Sequence, residues 1–164
     1  MGRTQASTTT VRDALEYLGL LVALAWLGRG ALIHFTSIAL GGSSEWATTF
    51  AAGVWSMLPY LFRDLLLGAF VMINGQIIEH SGLGVLVASG DFVADSANLF
   101  YVLLSNIDPF AVWHLILLTV GIRIATDLPK ARAAILSILT WLVILALKLV
   151  PGLLSQLVTG RLAG

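Results

Sequence analysis

The sequence has no cysteine, which excludes disulfides, thiolate nucleophiles and sulfur-ligated metals. It leaves the redox compartment open. Charge is scarce: Asp, Glu, Lys and Arg make up 11% of the residues, whereas soluble domains carry roughly 25%. A water-facing surface could not be covered with so few. The net charge is zero and no basic stripe is present, so nucleic acid is not expected as a partner. Residues 74–107 contain no lysine or arginine. No His-x-x-x-His or Glu-x-x-His pair prepares a metal site. No Gly-x-Ser-x-Gly elbow or phosphate loop prepares catalysis, and nothing calls for a cofactor. The first apolar run is too long for a signal peptide and has no small-residue cleavage site after it. The opening Met-Gly-x-x-x-Ala lacks the hydroxyl residue of a myristoylation signal. The chain is therefore expected to be neither an enzyme nor a lipid-anchored protein.

What is abundant is apolar length. Hydrophobic residues make up 58% of 164, and the mean hydropathy is +0.93. A bilayer core about 30 Å thick requires roughly 20 apolar residues per helix. Four stretches satisfy this, at about 14–40, 47–72, 109–126 and 131–150. The expected fold is all-α, a polytopic transmembrane helical bundle of four membrane helices, with five as the alternative. A polar tail is expected over 1–12, a single membrane domain over 13–158 and a second tail over 159–164. Its partners would be the lipid bilayer and either other membrane proteins or further copies of the chain. The location is a membrane crossed several times, the cell membrane if the source is prokaryotic.

Local signals set the boundaries. Gly41-Gly42-Ser43-Ser44 makes a tight turn, with Ser43 or Ser44 as N-cap of the second helix. Pro59 interrupts that helix by removing one backbone hydrogen bond; Ser56, one turn back, is a plausible donor to the freed carbonyl. Thr48, Ala52 and Ser56 form a small-residue ridge for close helix approach. Asp108-Pro109 opens the third helix, Asp as N-cap and Pro in the first turn. Pro151-Gly152 should end or bend the fourth. Between them, 92–104 reads as a short amphipathic helix at the interface. A fifth crossing over 83–104 would place Asp91 and Asp95 at membrane depth, where acids are costly. Lys130, Arg132 and Arg123 favour the side of the two short turns as cytoplasmic. Arg3 and Arg12 disagree with that orientation.

Charges within membrane helices are functional candidates because each is expensive to insert. Arg29 and Asp64 lie roughly 18 and 27 Å from the Gly-Gly turn at 1.5 Å per residue, which long side chains can bridge. An Arg29–Asp64 pair is expected, with His34 or Arg63 beside it. Arg63 is expected to snorkel to headgroups. Such a cluster would be a polar relay or ligand site, or more commonly a tie that fixes helix register. His114 follows Trp113 just inside its helix, at the depth of an aromatic belt, and reads as interfacial. Trp26, Trp55, Trp113 and Trp141 read as lipid or packing anchors.

Two blocks together resemble the YIP family of Ypt/Rab-interacting membrane proteins, in its prokaryotic branch. The first runs from His34 through Gly41-Gly42 to Ser56-Met57-Leu58-Pro59. The second is Asp108-Pro109-Phe110-x-x-Trp113, then Leu117-Leu118-x-x-Gly121 and Lys130-Ala131. The similarity covers roughly 27–150. It implies a bundle, usually of five crossings with a cytosolic amino end. Eukaryotic relatives act at Golgi and endoplasmic reticulum membranes, bind Rab GTPases and shape or traffic vesicles. By the same resemblance the family's first crossing, ahead of the Gly-Gly helix, and its long GTPase-binding arm are expected to be missing, which would make the chain a shortened member. On this resemblance Gly41, Gly42, Pro59, Asp108, Trp113 and Gly121 define the fold. The rival reading, a small transporter or channel subunit, would use Arg29, His34 and Asp64 in a polar path.

Overall fold

The computed structural model describes the backbone of residues 2–162 apart from 77 and 79, and the side chains within it except at 2–11, 92, 93, 97 and 151–162. The elements are α1 (Gly2–Ala39), α2 (Trp46–Trp55), α3 (Leu58–Asn74), a 3-10 turn (Gly82–Leu86), α4 (Phe92–Ala97), α5 (Leu99–Ser105), α6 (Pro109–Thr126) and α7 (Lys130–Leu162). Four spans are long and apolar enough to cross a membrane: Arg12–Ala39, Trp46–Asn74, Pro109–Thr126 and Lys130–Val150. The protein is an all-α polytopic bundle.

Several boundaries differ from expectation. The polar residues near the amino end are helical from Gly2; once a helix is nucleated, each further residue adds a bond at little cost, and Arg12 pairs with Glu16 at 2.9 Å. α7 continues through Pro151 to Leu162, as prolines can in membrane helices when freed backbone groups find other partners. The single amphipathic helix over 92–104 is two, α4 and α5, separated at Asn98. That residue's side chain accepts the Phe100 and Tyr101 N–H groups at 2.9 and 3.4 Å, which restarts the helix. Neither Ser43 nor Ser44 caps α2. Glu45 holds that position without a side-chain bond, and the two serines are drawn elsewhere.

The core is built where α1, α6, α7 and the turn between the last two meet, from Ile33, Leu118, Ile122, Leu128, Ala133 and Leu136. Lipid is as apolar as leucine, so burial alone gives little drive in a membrane, and close packing replaces it. A Cβ on Gly121 of α6 would stand 3.0 Å from the Cβ of Ala52 on α2, and one on Gly53 would stand 3.1 Å from Ile33. The buried row of the second span is Thr49, Gly53 and Ser56. Thr48, expected in it, is exposed. Thr119 reaches Ser137 across α6 and α7 at 3.1 Å.

The two short turns share one end of the bundle and are sewn together. Arg132 donates to the Leu40 carbonyl at 2.9 Å, and Ser43 donates to Asp127 at 3.0 Å. Gly41 has φ +84°, a conformation open to glycine. A Cβ on Gly42 would meet the Thr126 carbonyl oxygen at 2.9 Å.

Candidate functional site: a polar cavity at the break in the second span

The second span breaks at Ser56-Met57, between α2 and α3, with Pro59 buried in the first turn of α3. Tyr60 donates its backbone N–H to the Met57 carbonyl at 3.0 Å, three residues back rather than four. The Ser56 carbonyl is thereby released. Its new partner is on another helix: His114 Nδ1 lies 2.5 Å away and donates to it. Ser56 Oγ, expected to rescue a freed carbonyl, donates at 2.8 Å to Gly53, whose carbonyl loses its own partner when the Met57 N–H bonds Val54.

A carbonyl oxygen only accepts, so Nδ1 carries the proton and the Nε2 lone pair of His114 is available. Arg29 fills it, its Nη2 lying 2.6 Å from Nε2. α1, the α2/α3 break and α6 are thus linked through one fully buried imidazole. The Tyr60 ring lies against His114 with centroids 4.9 Å apart, and the Arg63 guanidinium sits 5.0 Å above Tyr60. Arg63 also donates to Asp64 at 3.1 Å and to Asp108 at 3.4 Å. Asp108 in turn accepts the Ala111 N–H at 2.6 Å and caps α6.

Arg29, Tyr60, Arg63, Asp64 and His114 line a cavity of about 260 Å³, whose wall also includes Asn106, Trp141 and Lys148. Counting along the helices at 1.5 Å per residue puts Arg29 and His114 roughly 18 Å from the short turns and Asp64 and Lys148 roughly 27 Å from them. The cavity therefore leads from mid-bilayer to the interface on the side of the 75–107 loop. Among the described residues no three histidines or carboxylates converge at metal-binding distance.

The structure gathers Arg29, Arg63 and Asp64 on this one cavity, but the expected Arg29–Asp64 pair is not formed. Arg29 bonds His114, while Asp64 bonds Arg63 with a side chain 63% exposed. Arg63 is held by two carboxylates rather than reaching freely to headgroups. His34 lies apart, near the short turns, with Nδ1 2.8 Å from Ser44 Oγ and 3.3 Å from Thr49 Oγ1. His114 is in the core rather than at the interface. Its place in the buried row Ala111, His114, Leu118 and Ile122 is the helical spacing that marks it as inward-facing. Lys148 carries no comparable signal, since its neighbours are apolar on all sides of the helix. Of the six motif residues, Gly41 and Gly42 form the turn and Pro59 follows the break. Asp108 caps α6, Trp113 stacks on Phe62 with centroids 6.0 Å apart, and Gly121 meets Ala52.

Four apolar spans, three of them tied near their centre by polar bonds, define an integral, multi-pass membrane protein in contact with the lipid bilayer. The family model for the Yip1 domain matches residues 4–150, and the chain belongs to that family. No curated protein and no solved structure matches it.

Proposed function

We propose that the protein is a non-enzymatic organiser of its membrane, acting through contacts with lipid and with neighbouring membrane proteins or further copies of itself, in the cell membrane of a prokaryote. The observation that carries this reading is the use made of most intramembrane polar groups. His114 is spent on the Ser56 carbonyl and on one edge of Arg29, and Arg63 is spent on Asp64 and Asp108. Groups so engaged fix helix register. On this reading Gly41, Gly42, Pro59, Asp108, Trp113 and Gly121 serve the fold. The outward faces, with Phe35, Trp55, Leu66, Ile116, Ile124 and Leu147 exposed, are what the bundle presents to its surroundings.

The test is reconstitution of the full chain into vesicles. Altered vesicle size or tethering, with permeability equal to protein-free controls, is the expected outcome. A transporter or channel subunit is the second reading, favoured by a cavity lined by both Arg29 and Asp64. Solute or ion flux that vanishes in Asp64→Asn, with the fold intact, would establish it and displace the first.

A further inference from the structure

Among the described residues, the cavity carries more cation than its own carboxylates balance. Arg29, Arg63 and Lys148 line it, and Asp64 is the lining acid. Adding Asp108, which reaches Arg63 from behind, makes three cations against two anions. His114 accepts from Arg29 and so adds no positive charge. Among the described residues neither Arg29 nor Lys148 has a carboxylate within salt-bridge distance, and the buried Nε of Arg29 has no hydrogen-bond partner. Arg29 lies at mid-bilayer depth, where an uncompensated cation is costly, and the exposed Lys148 stands at the interface end, so one further anion between them would be favourable.

Beside this cavity lies a second, larger and apolar, of about 720 Å³ between α1 and α7. The two share Arg29, Met57, Ile144 and Lys148. The apolar wall includes Val22, Trp26, Leu32, Val143 and Leu147, and Gly28 widens it. A ligand that filled both would need one negative charge joined to a long hydrocarbon, with the charge near the loop-side interface.

We propose that the joined cavities bind one anionic phospholipid. Its phosphodiester is held by Lys148 at the mouth of the polar cavity with Arg29 reaching it from the deeper end, and an acyl chain lies in the groove between α1 and α7. One phosphodiester supplies the one missing negative charge. A zwitterionic lipid brings its own cation, which would meet Arg29 or Lys148, so the site discriminates by headgroup. Arg29 contributes through Nε and the guanidinium edge not used by His114; Lys148 is a point charge on a flexible stem suited to phosphate. This inference deepens the proposed role and rests on it. Its assay reads lipid binding rather than membrane remodelling, so each can fail without the other.

The experiment is native mass spectrometry and thermal unfolding of the full chain in detergent, titrated with dioleoyl phosphatidylglycerol or dioleoyl phosphatidylcholine. Phosphatidylglycerol is expected to bind more tightly and to raise the melting temperature further. Lys148→Gln is expected to weaken phosphatidylglycerol binding about tenfold, the worth of one charge-assisted contact, and Lys148→Arg to restore most of it. Gly28→Leu tests the groove, because a Cβ at that position meets nothing within 4 Å and the helix accepts leucine. It should weaken phosphatidylglycerol while the lipid-free melting temperature is kept. Equal affinity for the two lipids, or an unchanged preference in Lys148→Gln, overturns the proposal. So does inorganic phosphate competing as well as the lipid, since the site would then be one for free anions.

Discussion

His114 on α6 donates its Nδ1 proton to the Ser56 carbonyl, the acceptor that Tyr60 leaves when it bonds Met57. A histidine from one helix thereby caps a break in another, and its second nitrogen receives Arg29. Removing the ring orphans two buried polar groups at once. An orphaned buried donor or acceptor costs about 1–3 kcal/mol. His114→Phe, which fills the space without bonding either group, is expected to lose at least that much in thermal unfolding in detergent. His114→Gln can donate to Ser56 and accept from Arg29 and should recover most of the loss. Equal melting of the two variants would show that volume, not bonding, is what the position supplies.

The close approach of α2 and α6 at Ala52 and Gly121 sets a second expectation. With a Cβ at Gly121 only 3.0 Å from that of Ala52, Gly121→Val must push the helices apart or force a rotamer. Overpacking of this kind costs about 1–3 kcal/mol. Ala52→Gly opens the facing side, so the double variant should regain part of the loss. Additive losses in the double-mutant cycle would remove the contact as the cause.

The sequence made the four spans legible because a bilayer imposes one length and one composition on a helix. Asp108-Pro109 marked the start of α6 to the residue, since capping and proline chemistry are local. The pairing of charges was not local and was misread. Depth alone placed Arg29 near Asp64, and both do line one cavity. The partner choice instead followed from the carbonyl released at Ser56-Met57, which shifted the break ahead of Pro59 and called for a donor. The buried spacing of His114 with Ala111, Leu118 and Ile122 was readable, but the neighbouring Trp113 suggested an interface. The helix does not end at Pro151, as one of the two expectations had it, because a proline removes a single backbone bond and α7 continues past it to Leu162.

Asp64 and Asp108 both bond Arg63, yet they should not be equivalent. Asp64 is 63% exposed and Asp108 only 8%. An exposed pair contributes roughly 0–1 kcal/mol, so Asp64→Asn should change the melting temperature little. Asp108→Ala loses an N-cap, at about 0.5–2 kcal/mol, and also strips Arg63 of its shielded partner. Asp108→Asn keeps the capping oxygen and should fall between. Thermal unfolding of the three variants checks the order. A larger effect from Asp64→Asn than from Asp108→Ala would mean that Asp64 does more than tether Arg63.

Asp95 lies outside the membrane spans, in α4 of the segment that precedes α6. Both its carboxylate oxygens accept the Ser89 backbone N–H, at 2.9 and 3.0 Å, and this holds its carboxyl below the ordinary value of 3.8. The bond favours the ionised form, so the folded loop binds protons less readily than the unfolded one. The stabilisation is accordingly complete above about pH 4 and is lost as the pH falls through the depressed folded value. Hydrogen exchange at residues 87–98, corrected for intrinsic rates, should accelerate in the wild type below pH 4 while α6 and α7 stay protected. Asp95→Asn, which keeps an acceptor but has no proton to gain, should exchange faster at neutral pH and show no such step. A step of equal size in that variant would assign the transition to another group in the loop.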